Sequence, residues 1–272
     1  MKQFPYVRFL QDQGFPVIVA PAAQCIGDSY YASKPEHIEN CREAVRVAAA
    51  ANALGVVVTS WSIRRVPWPQ TENSLIAVAM AMTNPGVTDL ESDIAFALDS
   101  FGTADEELAQ IPRILGRAAK NLSMVCDVAT RQEPGCDVGT VLDYASIREL
   151  RKQCWIGNPQ IVPLCEKLAR AADEAQSRLN LAHPETEEQR LRVTLWQLSI
   201  HTARLMSRYV PRLTEKTLSS AEAQSWIAAF EELGAQGENA LSPLYTPFAM
   251  RADYRARAGV HIEYLRQFLS DD

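Results

Sequence analysis

Two short, apolar, β-branched runs constrain this chain more than anything else in it: residues 16–21 (PVIVAP) and 56–60 (VVVTS), with one helical stretch between them. Runs that are apolar on both faces are what buried parallel strands require. Before the first run, Phe4, Val7 and Leu10 recur at helical spacing and Gly14 follows, which predicts a short helix over 4–13 with a glycine C-cap. Between the runs, Ser33-x-x-Glu36 reads as a capping box, and Ile38, Cys41, Val45 and Ala48 mark one helical face that lasts until Gly55. Helix, strand, helix, strand with short joints is the pattern of a parallel sheet built from right-handed crossovers. Two parallel strands do not form a stable sheet alone, and no convincing strand follows residue 60. Either further strands come from elsewhere or the pair is an appendage on helices.

Everything downstream is helical in period. Residues 72–83 are small and apolar at most positions and stop at Asn84-Pro85-Gly86. Thr88-x-x-Glu91 and Thr103-x-x-Glu106 read as capping boxes opening helices near 89–101 and 104–126, with Phe96, Leu98, Phe101, Leu108, Ile111, Leu115 and Leu122 facing inward. Breaks at 131–138 and 157–159 separate further helical patterns near 143–155, 160–182, 186–209, 220–234 and 248–269. The fold class expected is α/β plus all-α, predominantly helical, with an all-α domain over 87–272 after a strand-bearing segment over 1–86.

A net charge of −6 argues against a phosphate-binding surface, so nucleic acid is not an expected partner. No apolar run approaches the ~20 residues that span a bilayer, and residues 1–14 lack a signal-peptide core, so a soluble, cytoplasmic chain without a membrane partner is expected. The six cysteines include no C-x-x-C pair and are expected to be reduced and mostly buried. His37, His183, His201 and His261 are scattered, so neither a metal site nor a cofactor is expected, and His201 reads as a core or interhelix residue. Phosphate-loop, dinucleotide, zinc-protease and nucleophile-elbow signatures are all missing.

What chemistry the sequence offers sits after the two strands. Asp28, Tyr30 and Tyr31 follow the first, and Trp61, Arg64 and Arg65 follow the second. Barrel enzymes place site residues at strand C-termini, and an acid, a phenol, an indole and guanidinium groups together suit a sugar. Each also has an ordinary use: Trp61 in packing, Asp28 in a turn, the arginines in solvent.

The stretch FPYVRFLQDQGFPVIVAPAA (4–23), SKPEHIEN (33–40) and GVVVTSWS (55–62), followed by the small-residue helix 72–82, resembles the last part of family-20 glycoside hydrolases, the β-N-acetylhexosaminidases, and most of all their hexosaminidase-D-like branch. The resemblance covers residues 4–84. It implies that 1–86 is the closing βαβα portion of a (β/α)8 (TIM) barrel, with 16–21 and 56–60 as its seventh and eighth strands. It further implies that Trp61 lines the −1 sugar subsite, and that Asp28 and Tyr30 lie where the family holds sugar hydroxyls and the acetamido group, although their order and spacing differ here. The family's adjacent Asp-Glu pair, which orients the substrate's own amide and protonates the leaving group, belongs to the fourth strand and has no counterpart in this chain. Asp105-Glu106 falls in the first turn of a capped helix and reads as dipole-favouring instead. The resemblance thus implies a portion of an exo-glycosidase that holds a terminal N-acetylhexosamine through Trp61, Asp28, Tyr30 and Arg64, contributes no catalytic residue, and is inactive alone. The rival expectation is a non-catalytic helical interaction protein whose exposed strand edges pair with another chain, as a homo-oligomer or with a separate barrel segment.

Overall fold

The computed structural model describes residues 6–24, 35–60, 69–84, 86–118, 156–215, 218–254 and 258–271. It is predominantly helical, with a small parallel strand pair near the N-terminus. Among the described residues no helix is long and apolar enough to cross a membrane.

Helix α1 (Tyr6–Asp12) ends as its glycine demands: Gly14 has φ +86°, and the Phe15 N–H donates to the Leu10 carbonyl at 3.0 Å. The first strand follows in two pieces, β1 (Ile18–Val19) and β2 (Ala22–Gln24), and the second likewise in β3 (Gly55–Val56) and β4 (Thr59–Ser60). β1 pairs β3 and β2 pairs β4, both in parallel. The N–H groups of Leu54, Val57 and Thr59 donate to the Val17, Val19 and Pro21 carbonyls, which continues one ladder across both pairs. Pro21 has no N–H to return, and that missing donor is why the expected single strands are each interrupted.

Helix α2 (Pro35–Ala50) stops five residues earlier than Gly55 suggested. Asn52 takes φ +49°, and the Ala53 N–H caps the Ala48 carbonyl, so an asparagine and not the glycine makes the left-handed turn. Val17 and Val19 pack with Val7, Ala44 and Ala48, and Ala23 packs with Cys41, Val45 and Val78. One face of the strand pair is therefore covered by α1, α2 and helix α3 (Pro69–Thr83). The opposite face is not, since Ile18 and Val57 are about half exposed.

Helix α4 (Asp89–Phe101) has the expected Thr88–Glu91 capping box. Thr103 does not cap the next helix. Asp105 does, through a 2.7 Å bond from the Glu107 N–H, and α5 (Glu106–Ala109) runs after a one-residue turn into helix over 111–118. Leu98 is exposed, against expectation, because two residues along a helix is about 200° of rotation from Phe96. Two unforeseen boxes, Thr186–Gln189 and Ser219–Glu222, start α7 (Glu187–Leu213) and α8 (Ser220–Leu241), which follow α6 (Ile161–Leu179). Of the expected helix 248–269, the described residues form α9 (Pro247–Tyr254) and α10 (Val260–Asp271), and 255–257 lie outside them.

Two aromatic cores hold the helices. Phe96, Phe101 and Trp196 meet edge-on between α4 and α7, joined by Leu168 and Ala172 of α6. Tyr209, Phe230 and His261 form the second, between α7, α8 and α10. His201 bridges α7 to α8 through Gln236 at 2.7 Å, the interhelix role expected of it.

At the C-terminal end of α4, Gly102 has φ +72°, and a Cβ there would run into the carbonyl oxygen of His183. The His183 N–H also donates to the Phe101 carbonyl at 3.1 Å, so this crossing has no room to relax. Gly102→Ala is expected to cost about 2 kcal/mol, read as a lower urea midpoint with an unchanged slope.

Candidate functional site

The parallel register sets Gln24 opposite Ser60, so the chain leaves both strands at the same end. Asp28, Tyr30, Trp61 and Arg64 themselves lie outside the described residues, as do Ser33 of the first expected capping box and Leu122. What is described is the frame of the strand pair with α2 and α3.

That frame is unusually polar at the start of α3. Glu72, Asn73 and Ser74 are all buried, the last two completely. Arg192 of α7 holds Glu72 through its Nε at 3.1 Å, and the same guanidinium reaches Asp99 and Glu188, which ties α3 to the helical layer. Among the described residues, Asn73 Nδ2 and Oδ1 and Ser74 Oγ have no hydrogen-bond partner. Sequence reading missed all three because it took 72–83 as a packing helix; the polar E-N-S triplet ahead of an alanine-rich run was the signal available.

A second polar group joins α2 to α4. Arg42, 5% exposed, donates to Ser92 Oγ at 2.9 Å and pairs with Asp89, while Arg113 meets Asp93 at 2.7 Å. Burial raises the Asp93 carboxyl above the usual carboxylate range, and the neighbouring Arg113 and Arg42 pull it back. Burial also lowers the Arg42 guanidinium, against Glu39 and Asp93, which favour its charge. These charges neutralise one another inside the structure, so they serve the packing of α2 on α4.

No nucleophile emerges from the frame. Cys41 is buried beneath β2, and burial pushes its thiol up to about 11, far from the thiolate that reaction needs. Cys41 and Cys165 are buried, as expected of the cysteines; the other four lie outside the described residues. Among the described residues no group of three or more His, Cys, Asp or Glu side chains could hold a metal ion. The described frame sets the ends of β2 and β4 side by side. No family model, curated protein or solved structure matches this chain.

Proposed function

We propose that the chain is the C-terminal portion of a glycoside hydrolase of the exo-acting β-N-acetylhexosaminidase type, supplying pocket walls through Trp61, Asp28, Tyr30 and Arg64 and no catalytic acid pair. The observation that carries this reading is the one-sided cover of the parallel strand pair. α1, α2 and α3 pack one face, while Ile18 and Val57 on the other stay about half exposed. Barrel strands have this asymmetry, with helices outside and a packed interior on the other face. The remaining strands come from another polypeptide segment, and the ligand is a terminal N-acetylhexosamine. Trp61 packs its apolar face on the sugar's C–H groups, while Asp28, Tyr30 and Arg64 hold hydroxyl and amide groups. Chemistry belongs to the substrate's acetamido group and to acids outside this chain.

Protein isolated from its native source should hydrolyse an aryl N-acetyl-β-hexosaminide, and Trp61→Ala should lower kcat/KM about 100-fold. Unchanged hydrolysis by that variant removes the pocket assignment, and no hydrolysis by the native-source protein removes the enzyme reading. The second reading, a helical interaction protein, is favoured by the two aromatic cores among α4, α6, α7, α8 and α10, which dwarf the strand unit. A native species of 30.2 kDa, monomeric and without glycosidase activity, selects it.

A further inference from the structure

Apolar packing divides the described residues into two bodies. The two clusters around the strands draw only on residues between Val7 and Val78, from α1, the strands, α2 and α3. The two aromatic cores draw on residues from Phe96 onward, and among the described residues Ile76 of α3 is the one side chain that crosses from the strand body to pack on them. In sequence the bodies meet at the exposed residues Asn84 and Gly86, between α3 and α4.

Charge bridges the seam where apolar contact is thin. Arg42 of α2, buried, pairs with Asp89 of α4 and donates to Ser92 Oγ at 2.9 Å. Arg192 of α7 donates at 3.1 Å both to Glu72 Oε1 of α3 and to the Asp99 carbonyl of α4. One guanidinium therefore spans the start of α3 and the end of α4, as antiparallel helices joined by a short turn require.

Both latches lie among polar groups that closing the seam has stripped of water. Arg42 Nε, both polar atoms of the Asn73 side chain, Ser74 Oγ and Ser100 Oγ are buried without a hydrogen-bond partner among the described residues. Asn73 and Ser74 adjoin Glu72, and Ser100 adjoins Asp99, so these atoms flank the Arg192 latch. Desolvation without a new bond is a cost that opening returns. Asp93, beside Ser92, adds a buried carboxylate whose ionised form burial penalises. Polar seams between bodies of one chain permit relative motion, whereas large apolar ones do not.

We propose that this seam is a charge-latched hinge: residues 6–83 swing off α4 and α7 about the Asn84–Gly86 turn, with Arg42 and Arg192 as the latches. Opening returns Arg42, Asn73, Ser74 and Ser100 to water, and it breaks neither the strand ladder nor an aromatic core. It carries the ends of β2 and β4 away from the helical body. The hinge holds whether or not the ligand is a sugar.

The test is the distance distribution between nitroxide labels on unnatural residues placed at Ala49 of α2 and Glu166 of α6, both exposed, in the full 272-residue chain. Two populations are expected, and high salt, which screens the latches, should enrich the longer one at least about 3-fold. Arg192→Met, which leaves Glu72 without its guanidinium, should enrich it similarly. A control pair at Glu166 and Glu238, both within the helical body, should keep one distance throughout. A single Ala49–Glu166 distance that ignores salt overturns the hinge, as does an equal change in the control pair. If Arg192→Met fails to fold, the salt response of the parent decides.

Discussion

Trp196→Ala should destabilise the protein by about 4 kcal/mol, the largest loss expected of any single truncation in the described helices. Trp196 is 1% exposed and lies 6.5 Å from both Phe96 and Phe101, so its indole is the main aromatic contact of α7 with α4. Leu168, Ala172 and Ala175 of α6 close the same cluster, and the two alanines have no side chain long enough to swing into the hole. The cavity therefore stays, and the cost includes both lost transfer energy and unfilled volume. Trp196→Phe should cost far less, because the indole Nε1–H is buried without a hydrogen-bond partner among the described residues and its removal relieves an unsatisfied donor. Urea denaturation followed by far-ultraviolet circular dichroism measures both. A loss under about 1 kcal/mol for the alanine variant would mean that α4 and α7 do not share this core.

Acid should weaken the second core before it protonates most carboxylates. His261 is 5% exposed, stacked on Phe230 at 4.7 Å and edge-on to Tyr209, and its Nδ1 has no partner among the described residues. Burial alone pushes its imidazole down to about 4 from the ordinary 6.5. A depressed histidine pKa means that the folded state resists protonation that the unfolded chain accepts. Its stabilising contribution is complete above pH 6.5, declines as pH falls, and is spent near pH 4, for a total of about 3 kcal/mol. Glu91 and Glu222, lowered by their Thr88 and Ser219 hydrogen bonds, lose their contributions only below 4.5, so the two effects separate in pH. His261→Phe keeps an aromatic in the stack and cannot titrate. The variant should hold a nearly flat stability between pH 6.5 and 4.5 where the parent declines, and parallel curves would refute the assignment.

Much of the secondary structure was legible locally because its signals act within a few residues. Gly14 and the Thr88–Glu91 box set helix ends through backbone groups no more than five residues apart, and the β-branched runs chose strand by their own side chains. Errors arose where two local signals competed. Thr103 and Asp105 both offer an oxygen to the same helix start, and the closer acid wins; Asn52 and Gly55 both offer a left-handed turn, and the first that fits ends the helix. The candidate site was legible only as chain positions after two strands, since parallel register alone brings residues 24 and 60 to one end.

The sequence by itself determined where most of the helices and both strands lie and that the strands run parallel, because capping, period and crossover handedness are short-range. Tertiary structure alone decided the rest. The burial of Glu72 against Arg192, 120 residues away, the seating of Arg42 on Ser92, the meeting of Trp196 with Phe96 and Phe101, and the stack that neutralises His261 depend on which helix faces lie together. Those pairings are set by long-range packing, which no window of neighbouring residues encodes.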